Sequence, residues 1–291
     1  MKPAAFEYYA PVSVEEALDL LDQLGYDGKI LAGGQSLIPA MNFRMAQPHA
    51  LVDLNRVKEL FYIKSAPDGS LLIGAMTRDV TVEFDKMVAE RLPVVTETMP
   101  LVGYYQNRTR GTYGGNLAHA DPTGQLPTIS VALGARAHIR SKTGERWVEM
   151  DDFYLGPFTT ILEPQEMLVE VAYPALPPRS AASFKEFTRQ VGATPMVGVA
   201  VLVTLDDKNR FKNAKIAYLG VGEKPYAATE CVKVLLGQEA TAEAIRAAAE
   251  TAAQKDVDPG TDIHGTADYR RNLVNVLTRK ALTQAVQSAK K

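Results

Sequence analysis

The sequence predicts an α+β protein of two domains. Three observations indicate this class: short β-like runs alternate with helical patterns up to about Tyr173, a proline-rich segment follows, and long β-like runs are then succeeded by helical patterns. The length of 291 residues fits two domains of about 150 residues each. We therefore expect an N-terminal α+β domain and a C-terminal domain of antiparallel sheet covered by helices.

The first predicted element is a helix that begins after Ser13. Ser13 and Glu16 form a capping box before an apolar helical pattern, and Gly25 ends that pattern. Two short buried strands are predicted next, at 29–32 and 50–54. These elements predict a small α+β subdomain over residues 1 to about 55.

A second subdomain is expected over residues 56–175. Its predicted strands are 71–74, 135–140 and 167–172, and its predicted helices are 79–89 and 124–133. Three prolines lie between Pro174 and Ser180, a composition that is non-helical and typical of a stiff linker. We place the domain boundary there, so that the first domain spans 1–175 and the second spans 181–289.

The second domain is expected to begin with a sheet and to end with helices. Its predicted strands are 184–189, 197–205 and 211–221, and its predicted helices are 227–236, 241–255 and 266–289. A short polar turn at 206–210 joins the last two strands, which predicts antiparallel pairing between them.

Composition and charge exclude several classes of function. The content of 46% hydrophobic and 23% charged residues is typical of a globular protein, and no apolar run approaches the roughly 18 residues of a membrane span. The 32 basic and 34 acidic residues are spread along the chain, which argues against nucleic-acid binding. The N-terminal residues lack an apolar signal region, so we expect a cytoplasmic protein.

Metal chemistry within this chain is not expected. Cys231 is the single cysteine, so an iron–sulfur cluster held by several thiolates must belong to a partner. The four histidines form no His-x-x-x-His pair.

Two loops with paired glycines are the candidates for ligand binding. One is Ala32-Gly33-Gly34-Gln35-Ser36, which lies between a predicted strand and a helical segment, and the other is Thr112-Tyr113-Gly114-Gly115-Asn116. Paired glycines let backbone N–H groups curve around an anion, so the two loops together could hold a diphosphate. Neither matches the Rossmann or phosphate-loop pattern, and a turn without a ligand is the alternative.

The residues around these loops resemble those of a known family. The runs 32–39 and 107–122 and the late Asp268-Tyr269-Arg270 are similar to the medium, FAD-binding subunit of the xanthine dehydrogenase and aerobic carbon monoxide dehydrogenase family of molybdenum hydroxylases. The resemblance covers nearly the whole chain, and both loops occur in order and at the family spacing.

The resemblance implies a fold and a set of cofactor-binding residues. The fold is a two-subdomain FAD-binding domain of vanillyl-alcohol-oxidase (PCMH) type, followed by a C-terminal flavoprotein domain. The implied FAD contacts are Ala32, Gly33, Gly34, Gln35, Ser36, Thr112, Gly114, Gly115, Asn116, Asp121, Gln125, Leu162 and Lys185. Lys185 would lie near the flavin ring, and no residue is implied as catalytic.

The sequence departs from the family pattern at two positions. Gln125 stands where the family usually has an acidic residue, and Thr194 stands where many relatives have an aromatic residue against the flavin. An amide still forms hydrogen bonds but carries no charge, and threonine cannot stack. Arg108 and Arg110 are either diphosphate ligands or a solvated or subunit-facing pair, and we weigh these readings equally.

The implied activity is electron transfer within a complex. Electrons would pass from two [2Fe–2S] clusters of a small subunit through FAD to an acceptor, while a large subunit with a molybdopterin-type cofactor oxidises the substrate; the usual assembly is a dimer of heterotrimers. One alternative is a self-contained FAD oxidase or dehydrogenase, although no general base is clearly placed. Another is a non-catalytic nucleotide-binding or assembly protein.

Overall fold

The computed structural model describes residues 1–190 and 192–290, and these residues form four β-sheets and their flanking helices. The helices are α1 Val14–Leu24, α2 Leu37–Asn42, α3 Asp79–Phe84, α4 Lys86–Arg91, α5 Pro93–Thr98, α6 Tyr105–Arg110, α7 Tyr113–His119, α8 Gln125–Ala132, α9 Met150–Phe153, α10 Glu230–Leu235, α11 Ala242–Thr251 and α12 Ala267–Ala289. The strands are β1 Glu7–Tyr9, β2 Gly28–Leu31, β3 Ala50–Asp53, β4 Ile63–Ser65, β5 Leu71–Gly74, β6 Arg136–Ser141, β7 Gly144–Glu149, β8 Tyr154–Gly156, β9 Thr159–Thr160, β10 Met167–Tyr173, β11 Ser180–Phe187, β12 Val197–Leu205, β13 Phe211–Leu219 and β14 Tyr226–Ala227.

The first sheet is small and parallel, with the strand order β1-β3-β2. Helix α1 packs on it through Leu18 and Leu21, which share a core with Val52. The Ser13 half of the predicted capping box is present, because Ser13 Oγ accepts a hydrogen bond from the backbone N–H of Glu16 at 3.1 Å, whereas the Glu16 carboxylate accepts from the N–H of Val12 at 2.8 Å. Since β2 and β3 are parallel neighbours, their carboxyl ends meet at one edge of the sheet, and the first glycine loop starts there.

The second sheet has the order β4-β5-β10-β6-β7, and all its pairings are antiparallel. Strand β10 lies in the middle and is buried along its whole length, which explains its almost unbroken apolar sequence. Helices α3 to α8 supply the rest of the core around this sheet, with Val95, Leu117 and Ile129 among the fully packed side chains.

The third sheet has the order β11-β12-β13-β14 and is antiparallel. Successive side chains of a strand point to opposite faces. On β12, Val199 and Val201 pack in one core with α10, α11 and α12, whereas Ala200 and Leu202 belong to the core that includes α8. The sheet is therefore buried on both faces, and α8 lies against the face opposite α12.

The α+β class and the order of the predicted elements are confirmed, although several of these elements have other bounds than predicted. The helix predicted at 79–89 is two helices, because Asp85 has extended backbone angles and caps α4 by accepting from the N–H of Val88 at 3.0 Å. The helix predicted from Ala227 begins only at Glu230, since Ala227 pairs with Ala217 in the sheet. The strand predicted at 184–189 is β11, which begins at Ser180, inside the predicted linker, and ends at Phe187, and strand β1 was not predicted.

Candidate functional site

The two glycine loops lie against each other. We call Ala32–Ser36 the first loop and Thr112–Asn116 the second loop. A Cβ atom added to Gly33 would lie 2.5 Å from the carbonyl oxygen of Arg110 and 2.7 Å from Gly111 Cα. A Cβ added to Gly115 would lie 3.1 Å from Ala32 Cβ. A side chain at position 33 would prevent this approach, so Gly33 in particular explains why two loops about eighty residues apart in sequence lie together.

The first loop offers a run of backbone hydrogen-bond donors. Within residues 1–190 and 192–290, the N–H groups of Gly33, Gly34, Gln35 and Ser36 have no acceptor. Gly34 adopts a positive φ of 74°, which turns the chain between strand β2 and helix α2. Consecutive N–H groups in such a turn attract anionic oxygen atoms. The residues therefore fit a diphosphate in this loop.

The second loop uses its N–H groups differently. The N–H groups of Tyr113 and Gly114 donate to the carbonyl oxygens of Thr77 and Ala75, both at 2.9 Å. The N–H of Gly115 donates to Thr112 Oγ1 at 3.2 Å, which caps helix α7. The second loop thus supplies a close-packed wall, while the first loop supplies the free donors.

An open cleft of about 330 Å³ runs along the first loop. It is lined by residues of that loop, by Ile38 and Pro39 of α2, and by Asp53, Asn55 and Arg110. Arg110 is exposed and brings a positive charge to the cleft. Arg108 has another role, because its guanidinium forms a buried ion pair with Glu83 at 2.8 Å. The two arginines are therefore neither a joint diphosphate clamp nor a solvated pair.

Asp121 and Gln125 follow helix α7. Asp121 Oδ1 accepts hydrogen bonds from the N–H of Thr123 at 2.8 Å and from its hydroxyl at 2.7 Å, so this carboxylate shapes the turn between α7 and α8. The Gln125 amide is buried and donates to the carbonyl oxygen of Leu101 at 3.2 Å and to Glu186 Oε2 at 3.1 Å. Gln125 thus joins α8 to strand β11.

Leu162 and Lys185 lie on other elements. Leu162 follows strand β9 and packs against the core around the second sheet. Lys185 is half-buried on strand β11, and it shares a face with Phe187, which packs in the core with α12. Glu186 lies on the opposite face, towards Gln125. The structure therefore places Lys185 and Gln125 on opposite sides of this sheet, and Thr194 is exposed in the turn before β12.

Glu186 was not identified from the sequence, where it is one acidic residue in a strand. Burial raises its pKa to about 7, although the hydrogen bond from Gln125 acts in the opposite direction. Asp79, which is buried behind Gly111, also has its pKa raised by burial to about 7. Both carboxyl groups are thus protonated more readily in the folded chain than in the unfolded one.

Glu186→Gln is expected to flatten the dependence of stability on pH. The pKa of Glu186 rises from an ordinary 4.5 to about 7 on folding, so this group opposes folding increasingly as the pH rises through that window. The free energy of unfolding of the wild type, measured by urea titration, should fall more steeply between pH 4.5 and about pH 7 than that of the variant. Asp79 is present in both proteins, so its contribution does not differ between them. The control is Glu250→Gln, which removes an exposed carboxyl group and should keep the wild-type pH dependence. Equal pH dependence of the free energy of unfolding in the wild type and both variants would contradict the expectation.

Asn55 and Arg78 are further residues that sequence reasoning missed. Asn55 follows strand β3, the parallel neighbour of β2, and polar residues at the carboxyl ends of adjacent parallel strands are a recognised signal for a ligand site. Arg78 gave no such signal, because its contacts with Asn55 and with the carbonyl oxygen of Arg110 join residues far apart in the sequence.

Comparisons with known proteins identify the family of this chain. Residues 4–176 match the family described as the FAD binding domain in molybdopterin dehydrogenase, and residues 182–285 match the carbon monoxide dehydrogenase flavoprotein C-terminal domain. Over 290 residues the chain is 39% identical to the 6-hydroxypseudooxynicotine dehydrogenase complex subunit alpha of Paenarthrobacter nicotinovorans, covering 100% of this chain and 97% of that protein.

Similarity extends to a second relative and to a solved structure. The chain is 38% identical to the carbon monoxide dehydrogenase medium chain of Hydrogenophaga pseudoflava, with 98% of each chain covered. A carbon monoxide dehydrogenase structure from Hydrogenophaga pseudoflava superposes with a TM-score of 0.94 at 37% identity, covering 99% of both chains. The resemblance drawn from the sequence is confirmed: the chain belongs to the FAD-binding medium subunits of the carbon monoxide dehydrogenase and xanthine dehydrogenase family, which are the oxidoreductase flavoproteins of molybdenum hydroxylases.

Proposed function

We propose that this chain holds the FAD diphosphate in the first loop and uses the bound flavin to pass electrons from a partner subunit to an external acceptor. The observation that carries this proposal is the run of free N–H donors from Gly33 to Ser36, which lies directly against the second loop. Four donors in one turn would bind the diphosphate oxygens without desolvating a charged side chain.

The remaining residues of the proposed site have distinct roles. Gly115 lets the second loop lie against Ala32 of the first loop, Gly114 packs on Ala75, and Arg110 adds positive charge at the cleft. Asn116, Asp121, Gln125, Leu162 and Lys185 complete the proposed set of contacts. Bound FAD supplies one- and two-electron chemistry, and the protein supplies its binding, orientation and electrostatic environment.

The complex that we propose contains a small subunit with two [2Fe–2S] clusters and a large subunit with a molybdopterin-type molybdenum cofactor, assembled as a dimer of heterotrimers. Two relatives are named as the alpha subunit of a dehydrogenase complex and as the medium chain of a dehydrogenase, which supports a complex of several subunits. Residues 1–190 and 192–290 contain no cluster of His, Cys, Asp or Glu that could hold a metal ion.

The proposal extends to the location of the complex and to the domain organisation of this chain. We place the complex in the cytoplasm, as the sequence predicts. The structure describes no helix of the length and apolar character needed to cross a membrane within 1–190 and 192–290. We keep 1–175 and 181–289 as the two proposed domains, with the first divided near residue 55.

The natively expressed chain, recovered with its partners, is expected to carry flavin. The absorption spectrum should show flavin bands at about one FAD per chain, and metal analysis should find molybdenum and iron only when the other subunits are present. A lone colourless chain would favour the nucleotide-binding alternative. Substrate-dependent bleaching of flavin in the isolated chain would instead favour a self-contained oxidase.

A further inference from the structure

Two hydrogen-bonded side chains connect the backbone of the first loop to the backbone just before the second loop. Asn55 Nδ2 donates to the carbonyl oxygen of Ala32, at the start of the first loop, at 2.9 Å. Arg78 Nη2 donates to Asn55 Oδ1 at 2.6 Å, and Arg78 Nη1 donates to the carbonyl oxygen of Arg110, just before the second loop. Two side chains thus connect both loops through their backbone carbonyl groups. We call Asn55 and Arg78 the strut.

Asn55 is fixed in one orientation. Its amide nitrogen donates to Ala32 and Asp53, and its amide oxygen accepts from Arg78, so the donor and acceptor ends of the amide are both satisfied in only one of its two orientations. Asp53 is itself held by the hydroxyl of Tyr8, which donates to Asp53 Oδ2 at 2.5 Å. The Asn55 end of the strut is therefore anchored to the first sheet.

Arg78 is held in place by the segment that precedes the second loop and by Phe61. Its backbone forms a bridge with Thr112, flanked by a hydrogen bond from the N–H of Asp79 to the carbonyl oxygen of Gly111 at 3.1 Å. Its guanidinium lies 5.6 Å from the centre of the Phe61 ring. The Arg78 end of the strut thus belongs to the part of the chain that carries the second loop, and the strut joins this part to the part that carries the first loop.

We propose that Asn55 and Arg78 are positioning residues that set the spacing of the two loops and thereby the affinity for FAD. The inference rests on the proposed FAD site. Asn55 lines the cleft, whereas Arg78 is not among the residues that line it, so Arg78 acts through Asn55 and through the Arg110 carbonyl group. Without the strut, the first loop would be held against the second loop only by the packing of Gly33 on the Arg110–Gly111 backbone and by the hydrogen bond from Asn107 to Gln35, and part of the binding energy would be lost in ordering its free N–H groups.

Dissociation constants for FAD test this proposal on the full 291-residue chain after reversible removal of flavin. Arg78→Met and Asn55→Ala should each weaken FAD binding about tenfold, which corresponds to about 1.4 kcal/mol. The double variant should lose little more than the weaker-binding single variant, because removing either residue already breaks the strut. Arg78→Lys, which keeps the charge and one donor direction, should recover part of the affinity.

A matched control comes from another arginine–asparagine contact. Arg179 Nη2 donates to Asn209 Oδ1 in the turn region of the third sheet, so Arg179→Met removes the same type of bond away from the loops. The Arg179→Met variant should bind FAD with the dissociation constant of the wild type, even if its thermal midpoint is lower.

Two results would contradict the proposed role of the strut. One is a wild-type FAD dissociation constant in both Arg78→Met and Arg78→Lys. The other is a loss of binding free energy in the double variant that equals the sum of the losses in Arg78→Met and Asn55→Ala. If Arg78→Met does not fold, Arg78→Lys and Asn55→Ala decide the question. A wild-type chain that binds no FAD would refute the proposed FAD site itself, which separates failure of that site from failure of the strut.

Discussion

Gly33→Ala is expected to weaken FAD binding by roughly 5- to 150-fold, the equivalent of about 1–3 kcal/mol of overpacking. The added methyl group would lie 2.5 Å from the Arg110 carbonyl oxygen and 2.7 Å from Gly111 Cα, closer than real Cβ contacts. Both neighbours are backbone atoms, so no flexible side chain can move aside. The two loops must separate, and the free N–H groups of the first loop must move with them.

The measurement is the FAD dissociation constant, together with the near-ultraviolet circular dichroism of the chain. Gly144→Ala is the matched control, because a Cβ at that glycine meets nothing within 4 Å. The control should keep wild-type affinity. Wild-type affinity in Gly33→Ala as well would mean that the contact between the loops does not govern cofactor binding.

Arg108→Ala is expected to lower the free energy of unfolding by about 3–5 kcal/mol. The side chains of Arg108 and Glu83 are only 7% and 8% exposed, and the two groups meet at 2.8 Å. Arg108 also donates to the carbonyl oxygens of Val102 and Gly103. The substitution leaves a buried carboxylate and two carbonyl groups without their donor. Urea unfolding followed by circular dichroism measures the loss.

Two controls separate this effect from a general loss of charge. Arg140→Ala removes an arginine that pairs with Glu15 at 3.2 Å on the surface, and it should cost only about 0–1 kcal/mol. Replacing both partners, as Arg108→Met with Glu83→Leu, should restore much of the stability because no buried charge is left alone. A loss below about 1 kcal/mol in Arg108→Ala would show that the pair is better hydrated than its burial indicates.

Local signals in the sequence predicted the elements that carry the site. The capping box at Ser13, the glycine pairs and the long apolar run of β12 depend on neighbouring residues, so they are visible without the fold. The family resemblance rests on the same local motifs. Predicted element ends shifted where a single residue decided the boundary, as at Asp85, whose side chain starts a new helix.

Contacts between distant segments explain what the sequence could not predict. Arg108 and Arg110 are two positions apart, yet one lies in a buried ion pair and the other lines the cleft. Whether an arginine is buried or exposed here depends on Glu83, which packs beside Arg108 only after folding. Glu186 and Arg78 were missed for the same reason, because their partners Gln125 and Asn55 come from other elements.

The two-sided burial of the third sheet has a consequence for recombination between relatives. Phe184, Leu202 and Leu219 of this sheet share one core with Leu126 and Ile129 of α8. A chimera that joins the N-terminal part of one family member to the C-terminal part of another would cut this core into two unmatched surfaces. A chimera that folds must therefore take α8 and the strands that face it from the same parent, so this shared core limits where two family members can be recombined.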